Sequence, residues 1–270
     1  MKLSDLTRAL RAAGIEDAPG EARLLFSFVT GVPTARLVGC DPVSDDPRLT
    51  EVLARRVRRE PLRYITGEVG FWHETYRVTP DCLIPRADTE CLVKIAVGQL
   101  PRGAHFADLC TGSGCIAVST LASRTDCTAD AYDIAENTLA LARENAERNG
   151  VADRVRFHRR DLLSETIDGV YDAILSNPPY IRADVLDTLA PELSFEPRIA
   201  LDGGEDGLAF YRAILASADA HLAGGGFLLF EIGYDQKEAT TTLSAAPGYR
   251  AGMTYDHRGN ALCAQLEKTD

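Results

Sequence analysis

The sequence lacks any apolar run approaching the ~20 residues that a membrane-spanning helix needs. Its first stretch, MKLSDLTRAL, has no apolar core of the kind a secretory signal carries. The expectation is a cytoplasmic protein without membrane contact. CxxC spacing is absent too: the seven cysteines, at 40, 82, 91, 110, 115, 127 and 263, are odd in number and scattered. That argues against a disulfide framework and a zinc site, and no metal is expected. The thiols read as reduced, small apolar side chains. Positive charge is in short supply: 29 Lys and Arg against 40 Asp and Glu leave a net charge of −11. A protein held to DNA or RNA by phosphate contacts needs a basic surface, so no stable nucleic-acid binding is expected. One basic stretch, LARRVRRE at 53–60, reads as a solvated helix face. No internal repeat or low-complexity tract interrupts the chain.

What is present supports a folded enzyme-sized chain. Of 270 residues, 45% are hydrophobic and 26% charged, enough for one large domain or a small one joined to a larger. Residues 1–63 read as a small helical bundle. Leu3, Leu6, Ala9, Leu10 and Ala13 fall at helical spacing, and Gly14 suits a helix end. Residues 22–29 and 49–60 give further helical stretches, separated by TGVPTA and CDPVSDDP. Residues 64–86, YITGEVGFWHETYRVTPDCLIPR, mix aromatic and β-branched residues with glycine and predict a hairpin or extended linker. A helix follows, with Asp88 as its cap and Pro101 beyond its end. From 104 onward strands and helices alternate, which implies a mostly parallel, doubly wound α/β sheet. The end differs: YRAGMTYD, a turn HRGN and ALCAQLE read as an antiparallel hairpin.

The first strand of the alternating region runs into FADLCTGSGCIA. Gly112, Gly114 and Ala117 form G-x-G-x-x-A between a strand and a helix, the setting of a nucleotide-binding loop. Glycines let a ligand approach the backbone, and the next helix offers free N–H groups. An acid at the end of the second strand should hold ribose hydroxyls, and Asp133 stands there. A ligand-free tight turn is the plain alternative. NAD, FAD and S-adenosylmethionine all carry such a ribose. After the third strand, Asp161 with the Leu162 N–H suits an adenine edge, or else Asp161 is simply a helix cap.

The fourth strand ends in SNPPYI. Asn177 and Pro178 both precede prolines and are pushed toward extended conformations, and the prolines remove two donors. A stiff stretch rich in acceptors remains: the Asn177 side-chain oxygen and backbone carbonyls, with the aromatic face of Tyr180. Such a group can hold both hydrogens of a planar –NH2 and aim its nitrogen at an electrophile. The plain alternative is a strand-ending turn, which Asn-Pro commonly opens.

These features together resemble the class I S-adenosylmethionine-dependent amino-methyltransferases. More narrowly, EPLRYITGEVGFW, LIPRADTECLV, DLCTGSGCIA, SNPPYI and FEPRIALDGGEDGLAFYR resemble the peptide chain release factor N5-glutamine methyltransferase family (PrmC/HemK), from about residue 60 to 235. The resemblance implies a Rossmann-like, mostly parallel seven-stranded sheet with a terminal antiparallel hairpin, preceded by a helical bundle that helps bind the release factor. It implies transfer of a methyl from S-adenosylmethionine to the glutamine of a Gly-Gly-Gln loop. Its cofactor loop falls on Cys110, Thr111, Gly112, Ser113 and Gly114, its ribose acid on Asp133, and its adenine side on Asp161 and Leu162, with Asn177 also beside the cofactor. Its substrate cradle falls on Asn177, Pro178, Pro179 and Tyr180. There Asn177 and the Pro178 carbonyl would accept the amide hydrogens, and Tyr180 would pack on the amide plane. The implied domains are 1–63 for substrate recognition, 64–86 as a hairpin linker and 87–270 for catalysis. Many family members have glycine where Cys110 stands. DHRGNALCA has Ala261 and Leu262 where the family commonly has an arginine. The ALDGGEDGL stretch reads both as a turn with a helix cap at Asp206 and as a lid beside the catalytic edge. A nucleic-acid adenine or cytosine amino-methyltransferase is the alternative, since the same cradle suits those amines, though such an enzyme would flip a base. A cofactor-binding adaptor and an NAD-dependent dehydrogenase are weaker alternatives.

Overall fold

Apolar residues at helical spacing build the amino-terminal part. In the computed structural model, which describes residues 1–233, 235–243, 248–255 and 259–269, α1 (Leu3–Ala12) buries Leu3, Leu6 and Leu10. It stops at Gly14, whose φ of +75° suits glycine. Asp17 caps α2 (Ala18–Thr30) by accepting from Gly20 N at 3.0 Å. α3 (Arg48–Val57) buries Leu49 and Val52 against the same core. α4 (Leu62–Thr66) carries helix into Tyr64, Ile65 and Thr66, which were expected to be extended. Pro61 presets its start and Gly67, in the left-handed region, ends it. These helices lie in one of two compact units, Met1–Glu68 with Ala190–Phe195.

The basic stretch is not a solvated face. Arg56 is 5% exposed and pairs with Glu21 and, at 3.1 Å, with Glu192. Arg59 also pairs with Glu192 and donates to the carbonyls of Ala13 and Gly14. Arg55 pairs with Glu60. Inward-facing arginines with no carboxylate partner would be too costly to bury, so this unit places acids opposite them.

The second unit comprises Val69–Leu189 with Glu196–Asp270. β1 (Glu68–Phe71) and β2 (Glu74–Arg77) form the expected hairpin. A 3-10 turn over Ala87–Thr89 precedes α5 (Glu90–Gln99), so Asp88 lies within the turn and Thr89 takes the cap position. Then come β3 (His105–Leu109), α6 (Cys115–Ser123), β4 (Thr128–Asp133), α7 (Glu136–Arg148), β5 (Val155–Arg159), β6 (Tyr171–Ser176), α8 (Ala209–His221) and β7 (Leu222–Glu231). A short α9 (Lys237–Leu243) precedes β8 (Tyr249–Tyr255) and β9 (Ala261–Lys268). β7 begins at Leu222, which pairs with Tyr171 across a bulge.

The seven strands are ordered β5-β4-β3-β6-β7-β9-β8. The first five are parallel, and β9 and β8 form the antiparallel end. His257 and Arg258 of the expected HRGN turn lie outside the described residues. The sheet core is apolar, with Leu109, Ile174, Leu228, Phe230 and Leu266 all under 2% exposed. Among the described residues no helix is long and apolar enough to cross a membrane.

Candidate active site

Strand order reverses between β3 and β6, and open α/β sheets bind ligands at the carboxyl edge of such a switch point. Leu109 and Ser176, the last residues of these strands, are register partners. Ser176 Oγ donates to Leu109 O at 2.7 Å. The glycine loop and the Asn-Pro-Pro-Tyr segment therefore leave the sheet side by side.

A cavity of about 550 Å³ opens at this edge. Cys110, Thr111, Gly112, Ser113, Asp133, Asp161, Leu162, Asn177 and Pro179 line it. Gly114, Pro178 and Tyr180 are not among the residues that line it.

The glycine loop is tightly organised. Cys110, Gly112 and Gly114 have φ of +59°, +56° and +82°. A Cβ on Gly114 would sit 3.2 Å from the Ala142 Cβ, so glycine there lets α6 approach α7. A Cβ on Gly112 would meet only Cys110 O, at 4.0 Å, and open space otherwise. Buried Asp108 ties the loop together: its Oδ2 accepts from Thr111 Oγ1 at 2.6 Å and Ala117 N at 3.1 Å. Its Oδ1 has no partner among the described residues, and burial pushes its pKa up to about 7. Asp133 accepts from Gly112 N at 3.0 Å and Ala135 N at 3.1 Å. Burial raises its pKa against the pull of these amides.

Asp161 makes a local turn while lining the cavity. Its carboxylate accepts from Leu163 N at 3.0 Å and Ser164 Oγ at 2.8 Å. The residues around it form a turn rather than a helix start.

Asn177 is half-buried, and its Nδ2 donates to Thr89 Oγ1 at 3.1 Å. Among the described residues Oδ1 has no hydrogen-bond partner and is the free end. Among the described residues, no backbone amide outside the regular elements donates to the Pro178 carbonyl. The Tyr180 hydroxyl donates to Glu231 Oε1 at 3.4 Å. Behind this segment packs the ALDGGEDGL loop. Ile181 N donates to Leu201 O at 2.9 Å and Gly203 N to Ile181 O at 2.8 Å. Gln236 Nε2 clamps the carbonyls of Tyr180 and Gly207, at 2.9 and 3.1 Å. Asp206 accepts from Leu208 N at 3.1 Å, but the cap position of α8 is Leu208. Pro197 to Ala200 add a further cavity wall. Glu196, which precedes them, is 6% exposed, pairs with Arg86 and accepts from Ile84 N at 3.1 Å, joining the IPR and EPR segments.

Asp108, Thr89 and Glu231 carry polar chemistry that motif spacing does not mark. The available signal was a carboxylate inside an apolar strand, in FADL and LLFEI.

An adenosine-bearing sulfonium suits this donor set. There is an acid for vicinal hydroxyls, Ile134 and Leu162 for a purine face, and bare backbone at Gly112 for close approach. Residues 3–67 match the family described as PrmC N-terminal domain, and residues 88–193 the family described as Methyltransferase small domain. Release factor glutamine methyltransferase of Cereibacter sphaeroides is 43% identical over 257 residues, covering 92% of this chain and 91% of its own. That of Geobacter sulfurreducens is 39% identical over 254 residues, covering 92% and 89%. Among solved structures, the ribosomal protein L11 methylase of Lactobacillus delbrueckii subsp. bulgaricus shares the fold. Its TM-score is 0.53 at 20% identity, covering 72% of this chain and 85% of that one. The chain belongs to the release factor glutamine methyltransferase family and is a methyltransferase dependent on S-adenosylmethionine.

Proposed function

We propose that this chain transfers a methyl group from S-adenosylmethionine to the side-chain amide nitrogen (N5) of the glutamine in the Gly-Gly-Gln loop of peptide chain release factors, in the cytoplasm. The observation that carries this reading is the near full-length likeness to a relative named for that reaction, at 43% identity. The cofactor supplies an electrophilic sulfonium methyl. Asp133 holds the ribose hydroxyls, the backbone of residues 110–114 passes the cofactor's chain, and Asp161 with Leu162 N–H takes the adenine edge.

An amide nitrogen is a poor nucleophile because its lone pair is delocalised. Asn177 Oδ1 and the Pro178 carbonyl accept its two hydrogens, which enriches the nitrogen and turns it toward the methyl. Pro179 closes the wall beside them, and Tyr180 packs on the amide plane. Positioning and polarisation carry the acceleration, and the surplus proton leaves to water. In this reading residues 1–63 recognise the release factor, 64–86 link, and 87–270 catalyse.

The test is incubation with S-adenosylmethionine and a bacterial release factor, followed by mass spectrometric location of the added 14 Da (the mass of CH2). A release factor with Ala in place of the loop glutamine and a nucleic-acid mixture run in parallel. A methyl on that glutamine alone is the expected result. A methyl on nucleic acid and none on protein would transfer the assignment to an adenine or cytosine amine.

A further inference from the structure

α7 buries Leu139, Leu141, Ala142 and Ala146, and among them Asn145, which is 0% exposed. A buried amide is costly unless its hydrogen bonds are made. Here they are. Arg77 N donates to Asn145 Oδ1 at 2.7 Å, and Asn145 Nδ2 donates to Arg77 O at 3.0 Å and to Ser113 O at 2.9 Å. A backbone N–H only donates and a carbonyl only accepts, so the three bonds fix the orientation of the amide.

Both partners are informative. Arg77 ends β2, which pairs with β1. Exchanging N–H and C=O with a single partner is what a neighbouring strand would do, so Asn145 takes the place of one. Ser113 belongs to the glycine loop and lines the cavity. Its carbonyl shares a peptide group with Gly114 N, which donates to Thr111 O at 2.9 Å. That peptide is therefore held at both ends. Thr111 N goes to Tyr132 O at 2.9 Å and Gly112 N to Asp133. With those amides taken, Ser113 N, Cys115 N and Ile116 N have no acceptor among the described residues, and all three residues line the cavity.

We propose that Asn145 is a positioning residue: it ties the Ser113–Gly114 peptide to the β1–β2 hairpin and so sets how the loop presents its open amides to the cofactor. The inference rests on the reading of residues 110–114 as the passage for the cofactor's chain. It makes the hairpin a working part of the cofactor site and not only a link. The hairpin grips the start of α6 as well. The Tyr76 hydroxyl lies 3.3 Å from Cys115 O and 2.6 Å from Ser119 Oγ, and Ser119 Oγ donates to Glu74 Oε2 at 2.6 Å.

Asn149 supplies the control. Its Nδ2 donates to Thr75 O at 3.2 Å, on the same strand, and to Asn145 O at 2.9 Å, and among the described residues it makes no bond to the loop. The test measures S-adenosylmethionine Kd by calorimetry, thermal melts, and the NMR signals of the Ser113 carbonyl and Gly114 amide. Asn145→Ala should raise Kd about fivefold to thirtyfold, the value of one or two buried hydrogen bonds, and shift both signals. In turnover on a release factor the loss should fall on cofactor KM, with kcat at saturation within about threefold of the unaltered protein. Asn149→Ala should lower the melting temperature and leave Kd and both signals in place. An unmoved Kd in Asn145→Ala would overturn the proposal. So would an equal rise in Asn149→Ala, which would reduce Asn145 to a general support of the hairpin. A Kd unmoved in Gly112→Ala as well as in Asn145→Ala would sink the reading of the loop itself. If Asn145→Ala does not fold by thermal melt, the unaltered protein decides: saturation with S-adenosylmethionine should shift the Asn145 side-chain NH2 signals, and signals that stay fixed would overturn the proposal.

Discussion

Gly112 N donates to Asp133 Oδ2 at 3.0 Å, joining residues 21 apart in sequence. The bond brings the glycine loop and the end of β4 onto one wall of the cavity. It also fixes the Asp133 carboxylate, whose remaining lone pairs the proposed function gives to ribose hydroxyls. Asp133→Ala removes a charged acceptor from that wall. Cofactor Kd by calorimetry should rise about tenfold to a hundredfold, the value of a hydrogen bond to a charged group. Asp133→Asn should lose less than Asp133→Ala, because it can still accept from Gly112. Equal cofactor affinity in all three proteins would remove Asp133 from the binding site.

Asn177→Ala should separate chemistry from cofactor binding. The side chain's free oxygen is assigned to the substrate amide, and one preorganised polar contact in such a site is worth on the order of a hundredfold in kcat. Cofactor Kd should change far less, by under about threefold. A single-turnover assay beside a calorimetric titration measures both. Intact turnover would mean that the amide is held elsewhere.

Much of this site was legible in the sequence because its parts are local. Gly112 and Gly114 with Asp133, and Asn177 with its two prolines, announce themselves by spacing along one strand end. The contacts that complete the site are not local. Thr89 meets Asn177 across 88 residues, and Tyr180 meets Glu231 across 51. Neither pair has a periodicity or a motif to reveal it. The arginines at 55–59 look like solvated charge because sequence shows their sign and not the Glu21 and Glu192 that face them. The cap of α5 falls at Thr89 rather than the expected Asp88, and Thr89 is held by a tertiary partner, Asn177.

Cys110 holds a φ of +59°, a conformation that costs an L-residue roughly 1–2 kcal/mol. Cys110→Gly relieves that strain and gives back part of the gain as unfolded-state entropy. A net stabilisation of about 1 kcal/mol is expected, read from urea midpoints at constant m-value. A lower midpoint would mean that packing of the thiol outweighs the backbone strain.

Gly207 has no such latitude. Its φ is +75°, and an added Cβ would lie 2.4 Å from the Tyr180 carbonyl oxygen and 2.7 Å from Gln236 Nε2. Gly207→Ala must therefore displace the loop that backs the Asn-Pro-Pro-Tyr segment. A loss of about 2–4 kcal/mol is expected, from steric overlap added to left-handed strain. Thermal melts test the stability. Turnover should fall with it even below the melting range, since the displaced carbonyl belongs to Tyr180.

The buried Asp108 carboxyl makes stability depend on pH in a definite direction. Burial, opposed by the Thr111 hydroxyl and the Ala117 amide, raises its pKa from 3.8 to about 7 in the folded protein. Between those values the folded state binds more protons at this residue than the unfolded chain does. Its contribution to stability therefore falls as pH rises from about 4 to about 7, and is level outside that window. Asp108→Asn removes the titration and keeps an oxygen that can accept from Thr111 or Ala117. Relative to the unaltered protein, the variant should gain stability steadily from pH 4 to pH 7, by at most about 4 kcal/mol. Glu231 and Asp133 have raised values too and slope the same way, so the informative quantity is the difference between variant and parent at each pH. Urea unfolding at several pH values supplies it. A difference that stays constant with pH would mean that Asp108 is ionised throughout, with its Oδ1 solvated or paired in the folded protein.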